Sequence, residues 1–245
     1  MVFPYKLGLK QSPKDENEDL KYSAPIINSS KLLPVSYELP IIRAIYDQQT
    51  LNSCASHVVS QQILALQGYE KTIYPSRLFL YYNARSISGD ENEDEGTTYR
   101  DMYKGLSSFG FCDENMWGYN TENVLIKPPV ECYNSSNKTL VKKYKSLINS
   151  EYSIKYALCE DLPVAIGLVL YENFTPDQNG VIPLPSGQMV GSHALTIVAF
   201  SDHTRLFKIL NSWGASWGLG GFAYIPYEYV LNNKFCHDIW IITKE

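Results

Sequence analysis

Among the reactive side chains of this 245-residue sequence, Cys54 stands apart. It follows the polar run DQQTLNS. After it Ala55, Val58, Val59, Ile63, Leu64 and Leu66 recur at three- and four-residue steps, which predicts a helix over 53–66 with one buried face, ended by Gly68. Cys54 therefore sits at a helix start, where unpaired N–H groups and aligned peptide dipoles favour a thiolate. A thiol attacks a carbonyl as thiolate, so this is a place where a nucleophile could work. Gln48 lies six residues ahead in the same polar turn. Its amide can fold back beside the Cys54 N–H, and two donors converging on one point would hold an oxyanion.

His193 opens the strand-like run HALTIVAF, and Asn211 opens NSWG at the end of the run RLFKIL. Joined by the turn SDHT, the two runs would lie antiparallel and bring ring and amide together. Asn211 would then accept from one ring nitrogen and leave the other facing the thiol, with Trp213 covering the contact. Taken singly, a cysteine is most often a small buried hydrophobe and a histidine at a strand end most often structural. A helix-start cysteine, a histidine and NSWG together read as nucleophile, base and orienting amide. His57 is a rival base, but helical side chains lean toward the N-terminus and it is expected to pack inside. His203 and His237 lack the paired spacing of a zinc site, so no metal is expected. The loop GDENEDEG (89–96) lacks EF-hand spacing and reads as a solvated acidic rim that would favour basic peptides.

The elements that must position these groups fall into two sets. Helical patterns over about 76–86 and 97–109, the second closed by Gly110, follow the Cys54 helix. Past a Pro-interrupted connection at 127–130 comes a helix near 153–161, then the runs PVAIGLVL, HALTIVAF, RLFKIL, FAYI and HDIWIIT. Helices first and strands later predict an α+β fold, and the junction between two such halves is a favoured place for a cleft. Residues 1–32 are polar and interrupted by Pro13 and Pro25, so they read as an extension with an expected regulatory role, ahead of a packed domain over 33–245. Its helical lobe is placed mainly at 45–125 and its sheet lobe mainly at 126–240.

An apolar fraction of 44% and a charged fraction of 19% are those of a globular chain. A net charge of -5 without a Lys/Arg cluster argues against a nucleic-acid partner. No run approaches the ~18 apolar residues of a membrane span, and the first twenty lack the apolar stretch of a secretory signal. An intracellular, virion or compartment-associated location is thus expected over a secreted one. Cys112, Cys132, Cys159 and Cys236 leave any disulfide pairing open, and the four Asn-x-Ser/Thr triplets read as chance matches.

The blocks DQQTLNSCAS, GSHALTIVAF and FKILNSWGASWGLGGFAYI, in that order, resemble the signature blocks of the papain-like cysteine peptidases. The likeness covers about 33–245 and is nearest to bacterial and viral members with short N-terminal extensions. It implies a two-lobed fold, with a helical lobe, an antiparallel β-barrel-like lobe and the active site between them. By the same resemblance Cys54, His193 and Asn211 would be catalytic, Gln48 the oxyanion side chain and Trp213 the shield. Gly96 would be the cleft glycine that lets an extended substrate pair with the backbone. Substrates would be peptides or proteins, cut through a thiolate–imidazolium pair and an acyl-enzyme without a cofactor, by a monomer. The alternatives are an inactive peptide-binding relative, or an acyltransferase or isopeptidase. Leu51 and Asn52 replace a Cys-Gly pair and remove a common disulfide, Ala55 replaces an aromatic residue, and Ser192 replaces a frequent Asp. In place of a folded inhibitory pro-segment, residues 1–32 are expected to lie across or near the cleft, the alternative being a disordered tail.

Overall fold

The computed structural model describes residues 5–13, 32–40, 44–68, 73–141 and 143–244. Two short strands, β1 (Leu9–Lys10) and β2 (Ser36–Glu38), precede the helices α1 (Cys54–Leu66) and α2 (Arg77–Ser88). A two-residue strand β3 (Thr97–Thr98) leads into α3 (Tyr99–Phe109), and a short α4 (Val130–Asn134) follows. Local chemistry sets two of the helix starts. Ser76 accepts the Phe79 N–H at the head of α2, and Thr98 accepts the Asp101 N–H at the head of α3. Helix α1 begins without a side-chain cap, because the Ser53 hydroxyl is engaged elsewhere.

The second half is one seven-stranded sheet. After β4 (Lys143–Ser146) and α5 (Glu151–Cys159) come β5 (Val164–Tyr171), β6 (Met189–Ser201), β7 (Leu206–Leu210) and β8 (Phe222–Pro226). Helix α6 (Tyr227–Val230) and strand β9 (Cys236–Thr243) complete the chain. The strand order is β4-β9-β5-β6-β7-β8, with β2 against the far end of β6 and every pairing antiparallel. Helices and an antiparallel sheet in separate halves make this an α+β fold, as the sequence predicts.

Each half has its own apolar core. One core lies on the sheet, where Ile166, Leu168, Ile197, Phe207 and Ile209 pack with Ile154 of α5 and Tyr229 of α6. The other lies between α1 and the sheet, where Val58, Val59 and Ile63 meet Tyr99, Met102, Ala165, Ala194 and Trp240. Ala165 and Ala194 carry no more than a methyl, which lets α1 approach the strands closely. Leu9, assigned from sequence to the extension, is buried in this second core. Among the described residues no helix is long and apolar enough to cross a membrane.

Gln62 fastens α1 to the sheet. Its amide nitrogen donates to the Pro163 carbonyl at 3.0 Å and the Trp240 carbonyl at 3.1 Å, and its oxygen accepts from the Tyr103 hydroxyl at 2.8 Å. Gln62→Leu would strand three buried polar groups at once. A loss of about 3 kcal/mol is expected, read as a lower urea midpoint at unchanged slope.

Candidate active site

His193 lies in β6, opposite Leu168 of β5, and Asn211 follows the last residue of β7. The ladder that pairs Thr196 with Leu210 brings the two side chains into reach. His193 Nε2 stands 2.8 Å from Asn211 Oδ1, and the same oxygen accepts the Ser212 N–H at 2.8 Å. That second donor fixes which end of the amide faces the ring. Nε2 therefore carries the proton and Nδ1 is left as a lone pair, buried and without a hydrogen-bond partner. Trp213 stacks on the imidazole with centroids 4.6 Å apart and is itself buried.

Cys54 is the first residue of α1, as the sequence predicts, and it is fully buried. The backbone N–H groups of Ala194, the residue after His193, and of Gly8 favour charge on its sulfur. The strand that carries His193 packs with Cys54 in one core cluster. In this covered cleft the helix start does not win. Burial pushes the Cys54 thiol up to about 11, against the N–H groups that favour its charge. Burial likewise lowers His193 to about 4, opposed by its bond to Asn211.

Gln48 completes the group. The Ser212 hydroxyl donates to its amide oxygen at 2.7 Å, which points the nitrogen toward Leu51 O at 2.8 Å and Lys6 O at 3.2 Å. The amide therefore already donates to a peptide carbonyl. The sequence reading missed Ser212, although it adjoins Asn211 in NSWG. Its value depends on the 2.8 Å bond from Gln48 N–H to Ser212 O, which no local pattern reports.

Residues 5–13 occupy the cleft over these groups. Tyr5 stacks on Trp213 at 4.0 Å, and β1 runs parallel to β3 with Leu9 opposite Thr97. At Gly96, with φ at 80°, a Cβ would stand 1.9 Å from the Gly8 carbonyl oxygen, so only glycine admits the segment. The pairing donor is the neighbouring Thr97 N–H, 3.0 Å from Gly8 O, because the Gly96 N–H goes to the Tyr81 hydroxyl. Farther on, Ser12 N–H donates to Asp238 at 2.8 Å and Arg100 Nη2 to the Pro13 carbonyl at 2.8 Å. The expectation for residues 1–32 otherwise concerns positions outside the described residues, apart from 32 itself.

The acidic loop exposes Gly89, Asn92, Glu93 and Glu95, and departs from a solvated rim at Asp94. Asp90 does face outward, to Lys10, but Asp94 turns inward and accepts from the Asn52 N–H at 3.1 Å and the Tyr81 hydroxyl at 2.7 Å. Asn52 also donates to the Asp94 carbonyl. At Leu51 and Asn52, which replace the Cys-Gly pair, these bonds tie the loop to the Gly96 wall. Cys112, Cys132, Cys159 and Cys236 form no disulfide among the described residues. His57 packs inside, as expected, between Ser53 O and Arg77. His237 contacts Asp238 and Ser192, and the described residues contain no group of three or more side chains suited to a metal.

A buried cysteine, a histidine oriented by an amide and a side-chain donor aimed at a carbonyl define a thiol site between a helical half and a sheet. The family model described as papain family cysteine protease matches residues 41–237, and the chain belongs to that family. An uncharacterized peptidase C1-like protein of Acanthamoeba polyphaga mimivirus is 32% identical over 222 residues, 84% of this chain and 71% of that protein. Xylellain, a cysteine protease from Xylella fastidiosa, superposes with a TM-score of 0.88 at 27% identity, over 99% of this chain and 98% of its own. Procathepsin B S9 from Trypanosoma congolense shares the fold at a TM-score of 0.77 and 17% identity, over 98% and 87% of the two chains.

Two buried histidines make the fold acid-sensitive. Burial lowers His57 to about 3, helped by the nearby Arg77 guanidinium, and lowers His193 to about 4. Unfolded histidines take up protons near pH 6.5, so below that pH the unfolded chain binds more protons and stability falls. By pH 5 the loss should reach roughly 2 kcal/mol per histidine, before the carboxylates titrate. Urea midpoints should fall steadily from pH 7 to pH 5, and a flat profile would contradict neutral, buried rings.

Proposed function

We propose that this chain hydrolyses peptide bonds with Cys54 as nucleophile, and that residues 5–13 form a self-inhibitory strap over its cleft. In the reaction, the Cys54 proton passes to His193 Nδ1, and the thiolate attacks the carbonyl carbon of a peptide. The oxyanion rests on Gln48 Nε2 and the Cys54 N–H. His193 then gives its proton to the departing amine, which leaves an acyl thioester on Cys54. The same ring takes a proton from water, the hydroxide attacks the thioester, and the acid product departs as the thiol is restored. Asn211 keeps Nε2 protonated throughout, so Nδ1 alone trades protons.

One observation carries this reading: a peptide backbone already lies in the groove, with its Lys6 carbonyl on Gln48 Nε2 and its Gly8 carbonyl on Thr97 N–H. The Gly8 carbonyl is engaged by the Thr97 N–H, and the Gly8 N–H favours charge on the sulfur. A strap whose carbonyls are held by Thr97 and Gln48 supports a cover that binds without being cut. It also supports the thiol and the imidazole being neutral while covered, since their ion pair needs water or a substrate to replace lost solvation.

Peptide turnover and labelling by an irreversible epoxide should both be lost in Cys54→Ala. Labelling without turnover would point to a peptide-binding relative, and product masses separate hydrolysis from acyl transfer. A second variant tests the strap. An added Cβ at Gly8 would lie 1.9 Å from the Asn52 carbonyl oxygen, so Gly8→Val must unseat the segment. A strap worth about 1.4 kcal/mol or more predicts at least a tenfold rise in turnover, with Cys54 alkylated at lower pH. Equal rates in the two proteins would reject self-inhibition.

A further inference from the structure

Tyr119 lies outside every block that resembles the family, yet its hydroxyl reaches the loop that carries both oxyanion donors. It donates to the Gln48 carbonyl at 2.9 Å and contacts the Ser53 hydroxyl at 2.7 Å. A phenol has one hydrogen, and here it goes to the carbonyl, so Ser53 is the donor in the second bond. One oxygen atom thus joins the two ends of the Gln48–Cys54 loop. This is where the Ser53 side chain goes instead of capping α1.

The ring that carries this hydroxyl is held from several sides. The Arg77 guanidinium lies 4.2 Å from the Tyr119 centroid and 4.2 Å from that of Tyr46, and the His57 ring meets Tyr119 edge-on at 5.0 Å. Arg77 Nε donates to Glu114 at 3.0 Å, and Arg77 Nη1 lies 3.2 Å from His57 Nε2. An arginine can only donate, so His57 Nε2 accepts and its Nδ1–H donates to the Ser53 carbonyl at 2.9 Å. Ser53 is therefore fixed at its hydroxyl through Tyr119 and at its carbonyl through His57.

We propose that Tyr119 is a positioning residue for the oxyanion site, acting through the Gln48 carbonyl and Ser53 to hold the Gln48 amide and the Cys54 N–H at a set separation. This rests on the peptidase reading above. The loop between the donors needs such a brace, since it passes through Gln49 in the left-handed region at φ 54°. Preorganised donors lose their advantage when they drift by a fraction of an ångström. Tyr119 touches no reacting atom, so its removal should act on the developing oxyanion and spare the sulfur.

The test is Tyr119→Phe in the full chain, with and without Gly8→Val, because phenylalanine keeps the ring against Arg77 and removes only the bridging oxygen. Peptide kcat should fall tenfold to a hundredfold with KM within about twofold. Affinity for a peptide aldehyde, whose carbonyl adds the Cys54 thiol and places its oxygen in the oxyanion site, should fall by a similar factor. Alkylation of Cys54 by iodoacetamide forms no oxyanion and should stay within about twofold. Equal losses in alkylation and turnover, as from a general loosening of the fold, would overturn the proposal, as would an unchanged kcat. Should the parent protein be alkylated at Cys54 yet neither cleave peptides nor bind the aldehyde, the peptidase reading falls and this inference with it.

Discussion

The site exists only where the N-terminus of α1 meets β6. Cys54 and His193 come from different halves of the chain, and small residues at the contact, Ala165 and Ala194, set how near helix and strand can come. The N–H of Ala194 favours charge on the Cys54 sulfur, so the strand that bears His193 also contributes to the thiol's surroundings. Gln62 locks the same contact from behind with bonds to Pro163 and Trp240. A larger side chain at Ala194 would push α1 and its thiol away from the sheet through the core they share, because close-packed interiors transmit such volume changes.

Electrostatics in the cleft follow from what covers it. A helix start and two N–H donors favour a thiolate, yet full burial outweighs them and holds Cys54 near 11, while His193 is lowered to about 4. Charge separation between the two is therefore tied to uncovering. Under the segment 5–13 burial favours the neutral forms of both groups. Peptide backbone is a good cover for such a groove. It satisfies Gln48 Nε2 and Thr97 N–H, which would be costly to bury unpaired.

Several side chains do a different job from the one their local sequence suggests. Ser53, at an N-cap position, gives its hydroxyl to Tyr119. Asp94, in a run of exposed acids, turns inward to bracket Asn52 and Tyr81. Leu9, in a polar extension, enters the helical core. In each case the alternative partner lies far away along the chain, at separations of 66, 42 and 13 residues for the first two residues' bonds. Gly96 meets the Gly8 backbone closely, and the donor that pairs there belongs to Thr97.

Sequence alone determined the features that depend on neighbours. Apolar periodicity placed α1 with Cys54 at its head, alternating and β-branched runs placed β5 to β9, and three ordered blocks marked Cys54, His193, Asn211, Gln48 and Trp213 as a set. Tertiary structure decided everything that depends on distance across the fold. It settled which nitrogen of His193 Asn211 holds, through the second donor from Ser212, and how the Gln48 amide is turned. It also set the balance between helix dipole and burial at the thiol, since desolvation is the sum of all surrounding atoms and no short window of residues contains that sum.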